Sequence, residues 1–208
     1  METLKKSLTA VFLCGLLSIS AYTQDKDKAL QQAFADSYTQ EYAGEYNKAV
    51  DALKKVYSEK SYEINLRLGW LMYMSGLFTE SLAYYQKASN LMPYSIEAKL
   101  GYVYPAAALG NWEQVIKQYN DILKIDTKNA TANYRLGLIY YGREDYSTAY
   151  KYFEQVINLY PFDYYYTLYF AWTNLRLGKN KEAKVLFNKV LVIQPNDESA
   201  LEGLGLIK

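Results

Sequence analysis

An apolar comb runs through the chain on a fixed period. Small residues at Ala49, Ser81, Val115, Ala149 and Ala183 are each followed four positions later by a large apolar residue, respectively Leu53, Tyr85, Tyr119, Phe153 and Phe187. Positions i and i+4 share one face of an α-helix, so the pattern predicts a helix with a buried stripe, recurring five times. Five positions before each small residue stands a turn residue, Gly44, Gly76, Gly110, Glu144 or Gly178. Two residues after the turns come Tyr46, Phe78, Trp112, Tyr146 and Asn180, the first four aromatic. The small side chains let this helix approach another closely.

A second series marks where that other helix begins. Ser61, Ser95, Asn129, Asp163 and Asp197 lie 34 residues apart, and each has a side chain able to accept a hydrogen bond from the free N–H groups that open a helix. Two residues before three of them stand Pro93, Pro161 and Pro195, whose missing N–H and fixed φ stop the preceding helix. Each period therefore reads as a helix, a tight turn and an antiparallel helix.

Together with the pairs Leu68-Gly69, Leu136-Gly137 and Leu204-Gly205, these residues resemble the tetratricopeptide repeat family over about residues 28 to 208. The resemblance implies an all-α, right-handed solenoid of about five helix–turn–helix repeats plus a C-terminal capping helix, one elongated domain over residues 24–208. The chain departs from the family pattern in places. The first repeat is two residues short, Glu144 replaces a turn glycine, and Phe170-Ala171 stands where Leu-Gly would. Pro105 falls inside the first helix of the third repeat and is expected to kink it. Gly137 and Ala149 are expected at close contact between the two helices of the fourth.

The first two dozen residues differ in kind. Lys5 and Lys6 precede an apolar run from Leu8 to Ala21, and the polar Thr23-Gln24-Asp25 follows. This is the anatomy of a secretory signal peptide over residues 1–23, with cleavage between Ser20 and Gln24. The run of about 14 residues, interrupted by Thr9, Gly15, Ser18 and Ser20, is short of the roughly 20 that span a bilayer. The membrane is thus involved only through export, and the expected location is periplasmic or secreted, in a bacterial cell envelope. The single cysteine, Cys14, lies within the run behind Leu13, where a lipid-attachment site would want a small residue. The mature chain then has no thiol.

The remaining inventory removes most chemistry. Histidine is absent, and with it the commonest general base and imidazole metal ligand. Without a mature cysteine there is neither thiolate catalysis nor a sulfur-ligated zinc site. No glycine-rich phosphate loop follows a strand pattern. The carboxylate pairs Glu144-Asp145 and Asp197-Glu198 fall at a turn and a helix start, where capping accounts for them. No enzyme activity, cofactor or metal is expected. The formal charge of +1 falls to zero once Glu2, Lys5 and Lys6 leave with the signal peptide, and no basic patch argues for nucleic acid.

Tyrosine is the anomaly, with 24 residues. The family resemblance implies a concave groove lined by the second, fifth, ninth and twelfth residues of each first helix. Counted from each cap, these are Glu63, Leu66, Trp70 and Tyr73, then Glu97, Leu100, Tyr104 and Ala107. Thr131, Tyr134, Leu138 and Tyr141 follow, then Tyr165, Leu168, Trp172 and Leu175; Phe34 and Tyr38 join them from the first repeat. The expected groove is aromatic, and rigid rings with polar tips suit binding surfaces. The candidate partner-binding residues are Tyr38, Trp70, Tyr73, Tyr104, Tyr134, Tyr141, Tyr165 and Trp172, with Arg67 and Arg135 beside them to pair with a partner's carboxylates. The lysine and asparagine of the family's chaperone-binding carboxylate clamp are replaced by Leu66, Trp70 and Tyr104, which disfavours a chaperone tail. The expected function is a non-catalytic protein-interaction scaffold holding a protein or peptide segment in this groove. The alternative is a carbohydrate-binding module using the same rings.

Export gives the first prediction. Expressed in its source cell, the protein should occur in the soluble periplasmic or secreted fraction with an N-terminus between Ala21 and Asp25. Intact-mass measurement checks it, and Met1 retained in a membrane fraction would contradict it.

Overall fold

A computed structural model describes residues 25–207. The expected signal segment and its cleavage site lie outside the described residues. Among the described residues there are eleven helices and no strand, the all-α class expected. Helix α1 covers 25–42. It is followed by α2 (Tyr46–Lys54), α3 (Tyr62–Met74), α4 (Phe78–Leu91), α5 (Ile96–Ala108) and α6 (Trp112–Ile125). Then come α7 (Ala130–Gly142), α8 (Tyr146–Leu159), α9 (Tyr164–Arg176), α10 (Asn180–Ile193) and α11 (Glu198–Leu206). In chain order these are five helix–turn–helix repeats and a C-terminal helix.

Local chemistry sets the boundaries. Each expected cap accepts the backbone N–H three residues on: Ser61 from Ile64 (3.2 Å), Ser95 from Ala98 (3.0 Å), Asn129 from Ala132 (3.1 Å), Asp163 from Tyr166 (3.0 Å) and Asp197 from Ala200 (2.8 Å). Helices α4, α8 and α10 end two residues before Pro93, Pro161 and Pro195. The intra-repeat turns need one left-handed residue each. Gly44, Gly76, Gly110 and Gly178 supply it at φ between 72° and 75°, and Glu144 adopts the same conformation at φ 61°. A side chain there costs roughly 1–2 kcal/mol, so Glu144 keeps the turn at some expense.

Buried polar residues tie four of the five inter-repeat loops to the helices they precede. Four residues after the caps stand Asn65, Lys99, Asn133 and Thr167, all buried. The Asn65 amide donates to the carbonyls of Ser61 (2.7 Å) and Glu59 (3.1 Å), and that of Asn133 to Asn129 (3.0 Å) and Thr127 (3.1 Å). Lys99 Nζ donates to the Pro93 carbonyl, and Thr167 Oγ1 to that of Asp163 (2.6 Å). These groups are buried because their hydrogen bonds are made inside.

The chain divides into two compact halves, one through Leu109 and the other from Gly110. The boundary falls in the turn of the third repeat, so α5 belongs to the first half and α6 to the second.

In the first half, Ala49, Val50 and Leu53 of α2 pack with Ile64, Leu68 and Leu71 of α3 and with Ala33 of α1. Tyr85 of α4, only 3% exposed, lodges against two glycines. A Cβ on Gly69 of α3 would lie 2.9 Å from its ring, and one on Gly101 of α5 would lie 2.1 Å from it. Ser81, at the small-residue comb, donates to the Gly69 carbonyl at 2.7 Å. Pro105 sits inside α5, where its missing N–H leaves the Gly101 carbonyl without its donor four residues on.

The second half repeats the device. Phe153 of α8 lies where a Cβ on Gly137 of α7 would meet it at 2.6 Å, and Phe187 of α10 would be 2.2 Å from a Cβ on Gly203 of α11. Ala149 is fully buried on α8, but the group that Gly137 makes room for is the Phe153 ring one turn further on. Gly203 also departs from the Leu204-Gly205 reading of the sequence, because Gly205 meets nothing within 4 Å.

Two kinds of helical glycine follow from this. Gly101→Ala or Gly137→Ala should lower stability by roughly 1–3 kcal/mol through overpacking against Tyr85 or Phe153. Gly205→Ala, in open space within α11, should instead raise it by up to about 1 kcal/mol. Urea unfolding of the three variants reads the sign of each change.

Candidate partner-binding groove

Three first helices, α1, α3 and α5, line a groove of about 580 Å³ in the first half. Phe34 and Tyr38 come from α1, Glu63, Leu66 and Trp70 from α3, and Glu97, Leu100 and Tyr104 from α5. All eight are at positions the family resemblance implies for a concave surface. Tyr73 and Ala107 are not among the lining residues. Ile96, Arg67, Gly101 and the Tyr85 ring complete the lining. The glycine that admits Tyr85 to the core therefore also brings that ring to the groove. Burial pushes the Tyr85 hydroxyl well above the usual tyrosine range, so it stays neutral.

The aromatic positions differ in their freedom. Trp70 is half-buried; its ring centroid lies 5.8 Å from that of Tyr73 and 6.5 Å from that of Tyr104, edge-on to the latter. Tyr73 also meets Phe78 and Tyr104, each at 5.7 Å. Tyr104 and Tyr38 are 52% and 46% exposed and present the most open ring surface of the lining.

Arg67 is not an open cation, contrary to the sequence expectation. Its side chain is 9% exposed, its Nε donates to Ser37 Oγ at 3.1 Å, and its guanidinium stacks 4.0 Å from the Tyr38 ring centroid. Nη2 lies 2.5 Å from Glu41 Oε2, an ion pair without the alignment of a hydrogen bond, while the Trp70 indole N–H donates to Glu41 Oε1 at 2.5 Å. Glu41 thus neutralises Arg67 and holds Trp70 with one carboxylate. Sequence reasoning missed it, because its partners lie one repeat away and only the stacking of α1 on α3 brings them together.

The candidates of the second half form a separate arrangement, mostly of rings packed on rings. Tyr134 lies 5.0 Å from Tyr166 and 6.1 Å from Tyr169, and Tyr141 lies 6.0 Å edge-on to Tyr169. Burial, with Tyr169 nearby, pushes the Tyr134 hydroxyl up to about 12. Burial also raises Tyr141, against a hydrogen bond from Arg176 that lowers it. Trp172 packs edge-on against Phe187 at 5.2 Å and donates its indole N–H to Ser199 Oγ at 2.9 Å. Tyr165 is exposed, edge-on to Tyr164, and Arg135 is exposed near Tyr134 and Tyr166. Tyr164 donates to the cap Asp197 at 2.7 Å, a bond that raises its own hydroxyl to about 12.

The Arg67–Glu41 pair gives a stability prediction. Glu41→Ala leaves a buried guanidinium without its counter-charge and should cost about 3–5 kcal/mol in urea unfolding, well above the cost of Tyr38→Ala.

With this geometry in hand, comparisons with known proteins agree. Residues 130–163, from the start of α7 to the Asp163 cap, match the tetratricopeptide repeat. TPR repeat-containing protein YpiA of Bacillus subtilis (strain 168) is 27% identical over 186 residues, 86% of this chain and 43% of that protein. The chain therefore spans less than half the length of that relative. A tetratricopeptide repeat protein from Parabacteroides merdae ATCC 43184 superposes with a TM-score of 0.73 at 22% identity, over 85% of this chain and 71% of that one. MamA from Desulfovibrio magneticus RS-1 superposes with a TM-score of 0.68 at 18% identity, over 82% of this chain and 97% of that one. At these identities the two structures speak to the fold alone. The fourth repeat thus matches the tetratricopeptide repeat, and the fold of the described residues is that of tetratricopeptide repeat proteins.

Proposed function

We propose that the protein is a non-catalytic protein-interaction scaffold of the cell envelope, exported by its N-terminal segment, and that the groove of α1, α3 and α5 holds a segment of a partner. The observation that carries the reading is the groove's composition. Leu66, Leu100 and Ile96 stand beside the rings of Phe34, Tyr38, Trp70 and Tyr104, around the buried Tyr85. An apolar side chain entering this space is removed from water on several sides, worth about 25 cal/mol per Å² buried. The rings need little ordering, because Trp70 is already fixed by Glu41 and Arg67 by both Glu41 and Ser37. Among the described residues, no group of three or more histidine, cysteine, aspartate or glutamate side chains could hold a metal ion.

One observation favours the carbohydrate reading as runner-up: the exposed Glu63 and Glu97 accompany the open rings of Tyr38 and Tyr104. Sugar faces stack on such rings, and carboxylates accept from sugar hydroxyls. The peptide reading is preferred because Leu66, Ile96 and Leu100 add aliphatic surface to the rings, which takes an apolar side chain and offers a sugar no hydrogen bond.

The tryptophans are poor probes of binding, since both are half-buried with their indole N–H groups engaged; their removal would disturb the fold. Tyr38 and Tyr104 are better ones. Tyr38→Ala with Tyr104→Ala should abolish partner capture from envelope extracts while shifting the melting temperature by only a few degrees. Undiminished capture would place the site elsewhere. Quenching of Trp70 fluorescence by soluble oligosaccharides but not by peptides, lost in the same double variant, would favour the carbohydrate reading.

A further inference from the structure

We infer that this groove selects a basic peptide, an extended segment that buries an apolar side chain beside Leu66, Leu100 and Tyr85 and sets lysine or arginine side chains against Glu63 and Glu97. The inference rests on the groove being the partner site, as proposed above, and adds the chemistry of what it takes.

Charge decides the sign. Apart from the tyrosines, the ionisable lining residues are Glu63, Glu97 and Arg67. Arg67 is buried against Glu41, so its charge is answered within the protein. Glu63 and Glu97 are exposed at the rim. The hydrogen bonds they accept, from Ser61 Oγ at 2.9 Å and the Tyr62 hydroxyl at 3.2 Å, come from neutral donors and leave the carboxylates negative. A partner carboxylate would meet two like charges here, whereas a cation meets two opposite ones.

Geometry sets the spacing. Glu63 and Glu97 occupy the same place in successive first helices, 34 residues apart. Helices in contact lie about 8–10 Å apart, and a peptide in the extended polyproline II conformation rises about 3.1 Å per residue and returns to the same face every third residue. Residues i and i+3 of one segment therefore reach both carboxylates. The open rings add to this, because aromatic faces attract cations. The molecule already shows that contact, with the Arg67 guanidinium stacked on Tyr38 at 4.0 Å.

The test is an array of randomised nonapeptides probed with the full chain at low salt. The retained peptides should be enriched in lysine or arginine three residues apart around a leucine, isoleucine or phenylalanine. Glu63→Lys with Glu97→Lys should weaken them at least tenfold. Glu63→Gln with Glu97→Gln should weaken them less while preserving the acceptors for the Ser61 and Tyr62 hydroxyls, and it answers the question if the lysine pair unfolds. Retained peptides that are acidic, or neutral and indifferent to both charge changes, yet lost with Tyr38→Ala and Tyr104→Ala, would overturn the basic-peptide inference and leave the groove as the site. An array with no retained peptide, or with binding indifferent to the two tyrosines, would overturn the groove reading as well.

Discussion

The fit of an aromatic ring against bare helix backbone is the contact on which the rest depends. In the first half, Tyr85 reaches from a second helix to two successive first helices, and each receives it at a glycine. Any side chain at Gly101 would occupy the space of the ring, so α5 can sit where it does only because residue 101 has none. Burying a side chain of this size contributes about 1.5–3 kcal/mol, and the contact also sets the distance between α3 and α5. The groove is what that distance leaves open, with the same ring in its lining. Phe153 against Gly137 and Phe187 against Gly203 repeat the arrangement in the second half. Core and candidate site are therefore not independent parts, since the residue that packs the repeats also shapes the surface they present.

Where a feature is decided by a few neighbouring residues, it is legible in the sequence. The caps, the prolines and the turns belong to this class, and even Glu144 takes the left-handed turn conformation that its place in the period demands. Features decided by stacking are harder to read. Gly101 and Gly203 lie two residues before the Leu-Gly register, at the position that faces the ring of the preceding repeat. Gly205, which does fit the register, has no neighbour to pack against. The buried Asn65, Lys99, Asn133 and Thr167 look like surface residues until the loop carbonyls they bind are placed beside them.

The candidate site shows the same division. Its lining positions on α1, α3 and α5 followed from the repeat register, but the use of each side chain did not. Arg67 has the look of a cation awaiting a partner, yet it is spent on Glu41, so the groove is acidic where the sequence suggested a basic anchor. The tyrosine excess likewise has no single meaning. Tyr134, Tyr141, Tyr166 and Tyr169 pack largely on one another, whereas Tyr38 and Tyr104 keep open faces. Exposure separates the two groups, and exposure depends on which helices stack on which.

With the groove of α1, α3 and α5 as the proposed partner site, a bound segment is expected to lie against Tyr104. A photo-crosslinking amino acid placed at position 104, and for comparison at the exposed Val185 of α10, tests it in the native cell. Irradiation should join position 104 to a peptide segment of another protein and leave position 185 without that adduct. Adducts from position 185 with none from position 104 would place the partner away from the groove.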